Sequence, residues 1–172
     1  MMSRRVVLLL TLALGLCGCG PDPGHGEARA AREPEADAAC ALDGMLLSDF
    51  PGPKAQIHYR DLPRPDYFCD TVEMFHLVLA PEQVRPIAAL YVQDMGAAEW
   101  DSPVGHWIDA KQAWYVVGSR RLGSMGPTIA SFAREDDARR FAHEHGGTVH
   151  PFAAITADMA VLDGGALHDQ HM

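Results

Sequence analysis

The same order of predicted elements, strand–strand–helix–strand, occurs twice along this chain of 172 residues. In its first occurrence, K-A-Q-I-H-Y (54–59) and Y-F-C (67–69) predict two short strands, and I-A-A-L-Y-V-Q-D (87–94) predicts a third. The helix between them begins after Asp70, which forms a D-x-x-E capping box with Glu73. A unit this small has to bury its apolar face against another unit.

The second occurrence follows directly. Strands are predicted at 113–119 and 148–152, and M-G-P-T-I-A-S-F (125–132) is a loop that leads into a strand. The helix between them, 134–145, has acidic residues at its start and basic residues toward its end, as the helix dipole favours. The sequence therefore predicts an α+β fold of two similar small ββαβ halves packed together. The predicted boundaries are 40–100 for the first half, 101–165 for the second half and 166–172 for a tail.

Residues 1–18 have the pattern of a bacterial signal peptide, with two arginines before the apolar run V-V-L-L-L-T-L-A-L-G-L. The run is too short to span a bilayer comfortably, and it ends in L-C-G-C, which resembles a lipobox with Cys19 as the acylated residue. The following residue, Gly20, is not the Asp of an inner-membrane retention signal, so an outer-membrane anchor is expected. An ordinary secretory signal is the alternative, and either one places the mature chain outside the cytoplasm.

The predicted mature chain, 19–172, is acidic. Loss of the two arginines lowers Lys+Arg from 14 to 12 against 23 acids, so the formal charge changes from −9 to −11. Such a surface disfavours nucleic acid and suits a cation or a basic partner. Residues 19–39 contain almost no large apolar side chain and are predicted to be a flexible tether. A chain that starts near Ala39 is therefore expected to stay soluble and to keep its ligand affinity.

Two cysteines remain in the predicted folded part, Cys40 and Cys69. In an oxidising compartment such a pair favours a disulfide, which would close a loop of about 30 residues and stabilise the fold by roughly 3–4 kcal/mol. A metal site is the alternative, because a carboxylate (Asp43) and a thioether (Met45) follow Cys40 closely. In that case we expect both cysteines to be thiols when metal is bound.

Three methionines lie beside glycines in loops, in D-G-M-L, D-M-G-A and S-M-G-P. These residues, Met45, Met95 and Met125, are outside any helical periodicity and either seal the ends of the sheets or face a site. Thioethers and thiols are soft donors that favour Cu(I). His58 follows the first of these loops on a predicted strand and is a further candidate ligand. The absence of C-x-x-C and H-E-x-x-H disfavours structural zinc and zinc proteases.

Several longer stretches resemble one family, NosL. They are C-A-L-D-G-M-L-L-S-D-F-P-G-P-K-A-Q-I-H-Y, F-C-D-T-V-E-M-F, Y-V-Q-D-M-G, W-I-D-A-K-Q-A-W-Y-V-V-G-S and G-S-M-G-P-T-I-A-S-F. The resemblance implies a periplasmic lipoprotein, bound to the membrane through its lipid, that holds Cu(I) as a metallochaperone and is not an enzyme. It also implies delivery of copper to nitrous oxide reductase through the reductase's membrane-associated assembly machinery.

On this resemblance Met45 and Met125 map onto the family's motifs, whereas the cysteine of the family's C-G-M is replaced by Asp43, and Cys40 precedes it. We expect Cu(I) to lie between the two halves, bound by these two methionines and completed by His58 or Asp43. Cys40 and Met95 are secondary candidates.

Two other classes of function remain open. The family's fold is related to that of alkylmercury lyases, which use two cysteines and an acid, and Cys40, Cys69 and Asp43 supply such a set. The lipobox disfavours this class, because those lyases work with cytoplasmic thiols. The other class is a structural lipoprotein, in which the methionines pack and the cysteines form a disulfide.

Overall fold

The computed structural model describes residues 29–162, and this part of the chain has an α+β fold, as predicted. The signal peptide, Cys19 and the predicted tail at 166–172 lie outside the described residues. In chain order the elements are β1 (Ala55–Tyr59), β2 (Asp66–Phe68), α1 (Thr71–Val78), β3 (Ile87–Gln93), β4 (Trp107–Asp109), β5 (Trp114–Val117), β6 (Leu122–Gly123), β7 (Gly126–Pro127), β8 (Ala130–Phe132), α2 (Glu135–His145) and β9 (Thr148–Pro151).

The first sheet has the order β2-β1-β3-β4, with every neighbouring pair antiparallel. Side chains along the central strand β1 alternate between its two faces. Ala55 and Ile57 are completely buried in the apolar core that also contains Phe75 of α1. Gln56 and His58 occupy the alternate positions and are also buried, on the opposite face. Both faces of β1 are therefore covered.

The second sheet has the order β8-β5-β9, again antiparallel, and α2 packs on it. Tyr115 of β5 reaches the first core, where its ring lies 4.9 Å from that of Phe75 in an edge-to-face arrangement. The next residue, Val116, packs with Ala138 of α2 in a second core. The second sheet thus separates α2 from α1.

The strand order in the second sheet corresponds to β2-β1-β3 in the first, but the equivalence of two halves stays a prediction. Strand β4 comes after the predicted boundary at residue 100 but belongs to the first sheet. Residues Trp107–Asp109 pair with Tyr91–Gln93 of β3. This short strand has no alternating pattern by which the sequence could have revealed it.

Residues 29–38, here called the N-terminal segment, pack against the first sheet and do not form part of a free tether. The backbone of Arg32 donates to the side chain of Gln56 at 3.0 Å and accepts from it at 3.1 Å. The Glu33 carboxylate accepts from the Trp107 indole at 2.7 Å. Hydrogen bonds of backbone and polar side-chain groups attach the segment to the sheet, so it needs no apolar pattern. None of the helices within residues 29–162 has the length and apolar character needed to cross a membrane.

Candidate metal site

The candidate site is built around residues 40–45, here called the thiol loop. The Cys40 amide donates to the Met45 carbonyl at 2.7 Å, and the Gly44 amide donates to the Cys40 carbonyl at 2.9 Å. Gly44 has φ 78°, a left-handed conformation that glycine adopts without strain. The Asp43 side chain accepts from the Met45 amide at 3.0 Å. This tight turn buries the Cys40 side chain, leaves Asp43 exposed and half-buries Met45.

Cys69 directly follows β2 and lies next to the thiol loop. Its side chain is completely buried, and its Sγ lies 3.7 Å from the Met45 carbonyl oxygen. One ligand atom from each of Cys40, Asp43 and Cys69 can be chosen so that all three lie within 4.8 Å of one another. Both cysteines in the described part of the chain are free thiols. Two soft donors and one hard donor are therefore close enough to share one metal ion.

Glu73, in the first turn of α1, connects the thiol loop to a second loop. Its Oε2 lies 3.0 Å from Cys40 Sγ, and its Oε1 accepts from Ser124 Oγ at 3.3 Å. The capping-box prediction is thus half met: Asp70 caps α1 by accepting from the Val72 amide at 2.9 Å, but Glu73 turns to Cys40 instead of to the cap. A fully buried carboxyl group here satisfies its oxygens with the two loops.

The second loop is the hairpin of β6 and β7, residues 122–127, here called the methionine hairpin. Asp70 holds it through the Ser124 amide at 3.2 Å and, just beyond it, Thr128 Oγ1 at 2.5 Å. The approach requires glycine at 123, since a Cβ there would lie 1.9 Å from Asp70 Oδ2. Met125 occupies the tip next to Ser124 and is half-buried. The hairpin tip and the thiol loop thus approach Glu73 from two sides.

The buried titratable groups of this region shift one another's pKa values. The pKa of Cys40 is lowered to about 6, chiefly because the Cys69 thiol donates a hydrogen bond to it; burial opposes this, and the contact with Glu73 adds to it. Burial, followed by the contact with Cys40, raises the pKa of Glu73 to about 8. The hydrogen bond with Cys40, followed by burial, raises the pKa of Cys69. A thiolate at Cys40 beside a neutral Glu73 is the arrangement that these shifts favour near neutral pH.

Lys54 supplies a cation beneath the site. Burial lowers its pKa, while its Nζ donates to the backbone carbonyls of Phe50, Pro51 and Cys69 at 2.7, 3.1 and 3.1 Å. These bonds connect the Cys69 backbone to residues Phe50 and Pro51, which follow the thiol loop in the chain. Sequence reasoning missed Lys54, because the alternation of polar residues at 54, 56 and 58 with apolar ones predicts a strand with one solvent-facing side.

Two of the predicted ligands lie elsewhere. His58 is on the opposite face of β1, where its Nε2 lies 2.8 Å from Gln56 Oε1 and burial lowers its pKa. The N-terminal segment covers that face. Met95 packs on the second core with Val116 and Phe132. The structure therefore brings Cys40, Asp43 and Met45 together with Cys69, which was not among the predicted copper ligands.

The fold and this cluster define a small α+β protein with a sulfur-rich candidate site for a soft metal ion. The sequence model of the NosL family matches residues 31–160, and the chain belongs to the NosL family. It is 43% identical over 136 residues to the copper-binding lipoprotein NosL of Stutzerimonas stutzeri, covering 76% of this chain and 70% of that one. It is 44% identical over 121 residues to the protein of the same name from Achromobacter cycloclastes, covering 68% and 63% of the two chains.

A solved structure agrees with the fold. The crystal structure of the copper chaperone NosL from Shewanella denitrificans superposes with a TM-score of 0.72 at 36% sequence identity. The match covers 77% of this chain and 99% of that one.

Proposed function

We propose that this chain is a copper chaperone that binds Cu(I) outside the cytoplasm and releases it to a partner. The observation that carries the proposal is the approach of the thiol loop and the methionine hairpin to Glu73 from two sides. Met45 lies in the thiol loop and Met125 in the methionine hairpin, so both glycine-flanked methionines are on loops that contact Glu73. The names of the relatives in Stutzerimonas stutzeri and Shewanella denitrificans support copper as the cargo.

The proposed ligands are Met45 and Met125, with Cys40 as the third donor and Asp43 at the exposed rim. Thioethers and a thiolate favour Cu(I) over hard cations, and a low coordination number suits that ion. His58 and Met95 are left out of the set because both are packed in other parts of the fold. Cys69 stabilises the Cys40 thiolate through its hydrogen bond and is a further candidate copper ligand.

Delivery follows from the exposure of the site. Both methionines are half-buried and lie in loops, so a partner's donors can approach and replace them one at a time. A closed cage of thiolates would hold copper too firmly for exchange. The proposed recipient is nitrous oxide reductase, through its assembly machinery at the membrane. An acyl anchor at Cys19, in the outer membrane, would keep the chaperone in that compartment.

A competition titration with copper supplied as Cu(I), against a Cu(I) chelator and without oxygen, tests binding. We expect one tightly bound Cu(I) per chain, weaker binding in Met45→Ala and in Met125→Ala, and the largest loss in the double variant. Met95→Ala is the matched control, because it removes a half-buried loop methionine from the other core. Wild-type affinity in the double variant would refute the proposed ligands, and no binding by the wild type would refute the chaperone.

Delivery is tested separately in cells that make nitrous oxide reductase. Removal of the chain should lower the copper content of the purified reductase, and the wild type should restore it while the double methionine variant does not. A reductase with full copper content in the absence of the chain, under copper limitation, would contradict this route.

A second candidate function has one observation in its favour, the closeness of Cys40, Asp43 and Cys69. Two thiolates that bind mercury and an acid that protonates carbon are the parts of organomercurial cleavage. The test is benzene release from a phenylmercury salt with excess thiol. The chaperone proposal predicts no turnover, and turnover that is lost in Asp43→Asn would establish the second function in its place.

A further inference from the structure

We propose that the Cys40–Cys69 pair reduces Cu(II), so that the chain can take up copper in its cupric form and retain it as Cu(I). The inference rests on the proposed copper site and adds a redox reaction to it. Its basis is the position of two free, buried thiols beside one exposed carboxylate and two loops that carry thioethers.

The geometry places an oxidisable pair next to an entry point. The Cys40 side chain is 3% exposed and that of Cys69 is 0% exposed, yet their sulfurs and an oxygen of Asp43 lie within 4.8 Å of one another. Asp43 is exposed and supplies the hard oxygen donor that Cu(II) accepts. A cupric ion held at Asp43 is therefore within reach of both sulfurs, whereas larger oxidants in solution are kept from them.

The reaction balances within the chain and the copper. Two Cu(II) ions each accept one electron, the S–H bonds of Cys40 and Cys69 break, one S–S bond forms, and two protons go to water. The products are one disulfide and two Cu(I) ions. The sulfurs have to approach from within 4.8 Å to bonding distance, a movement confined to the thiol loop, because the carbonyl of Cys69 is tied to Lys54.

The thioethers make this reduction useful to a chaperone. Met45 and Met125 take no part in the thiol chemistry and remain available to one Cu(I) after the disulfide forms. The disulfide no longer offers a thiolate, so the retained ion is bound more weakly and is easier to pass on. Each further round requires a dithiol reductant to restore the pair, and the reaction is otherwise stoichiometric.

The test uses the full chain with Cys17 and Cys19 replaced by serine, in detergent, reduced and kept anaerobic. Cu(II) is added in excess together with a Cu(I)-specific chelator that competes with the site. We expect two Cu(I) per chain, loss of both thiols in step with Cu(I) formation, a mass loss of two hydrogens, and a rate independent of protein concentration. Protein oxidised beforehand to the disulfide should produce no Cu(I).

Single variants provide the comparison. In Cys40→Ser and in Cys69→Ser, Cu(I) formation should become slow, dependent on protein concentration and accompanied by a covalent dimer. Intact thiols with a persistent Cu(II) electron-spin signal in the wild type would overturn the inference, as would wild-type rates in Cys69→Ser. Copper supplied as Cu(I) separates the two proposals. If it binds while Cu(II) is not reduced, only the redox inference fails. If Cu(II) is reduced while supplied Cu(I) does not bind, the thiol pair is a reductant, but the chaperone proposal and the retention of copper as Cu(I) both fail.

Discussion

Substitution of Asp70 by asparagine should change the pH dependence of stability by an amount that the structure allows us to calculate. Burial raises the pKa of Asp70 from 3.8 to about 6. The shift of about two units corresponds to about 3 kcal/mol. Because the pKa is higher in the folded state, this stability is present below the unfolded pKa and is lost as pH rises through 6. Asparagine stays neutral and does not show this loss.

The substitution also has a cost that does not depend on pH. Asparagine is as good a helix cap as aspartate and can still accept from the Val72 amide and Thr128 Oγ1. The amide nitrogen of asparagine cannot accept the hydrogen bond that the Ser124 amide donates to Asp70. The variant therefore loses one hydrogen bond, which costs about 1 kcal/mol. We therefore expect Asp70→Asn to be less stable than the wild type near pH 4 and equal to it or more stable above pH 7.

Urea unfolding at a series of pH values measures this difference. The free energy of unfolding of Asp70→Asn should gain on that of the wild type by roughly 2–3 kcal/mol between about pH 4 and pH 7. Asp136→Asn removes the same charge from the exposed side of α2 and controls for overall charge. If the two free energies of unfolding differ by the same amount at every pH, the raised pKa of buried Asp70 is refuted.

Other variants test the remaining parts of the account. Met74→Ala removes a fully buried side chain and should lower the free energy of unfolding by roughly 2–5 kcal/mol without changing Cu(I) affinity; a loss of affinity at unchanged stability would contradict its role in packing. A chain that starts at residue 39 should be less stable to urea than one that starts at residue 29 by several kcal/mol, because it loses the contacts of Arg32 and Glu33 and uncovers His58. Equal stability of the two chains would show that the N-terminal segment is a tether after all.

The elements whose residues follow a clear periodic pattern were predictable from the sequence. The strand at 54–59 and the helix at 134–145 are present within one residue at each end, since alternation and end charges define them locally. The cap at Asp70 was also visible. By contrast, β4 and the two strands of the methionine hairpin have three residues or fewer. The position of β4 depends on its pairing with the first sheet, and that of the hairpin depends on Asp70. No local pattern encodes such a dependence.

The site shows the same division between local and long-range information. Cys40, Asp43 and Met45 are close in sequence and are close in space. The partners that complete the cluster, Cys69 and Glu73, are about thirty residues away, and the D-x-x-E spacing favoured a capping role for Glu73. His58 was favoured because it follows the thiol loop, but strand alternation turns it to the other face.

The polar composition of residues 29–38 was correctly described and incorrectly interpreted as a sign of a tether. Attachment of this segment depends on the buried Gln56, whose amide group is satisfied by the backbone of Arg32. A buried amide that needs partners is visible in the sequence only after the strand around it is known to be covered on both faces.

The most direct test of the central claim is X-ray absorption on anaerobic protein loaded with one Cu(I) per chain, with the metal content of the same sample. The account predicts a low-coordinate Cu(I) whose nearest neighbours are mainly sulfur, with fewer sulfur neighbours in the Met45→Ala, Met125→Ala double variant. A first shell of nitrogen and oxygen, or the same sulfur count in the double variant, would contradict a copper site between the thiol loop and the methionine hairpin.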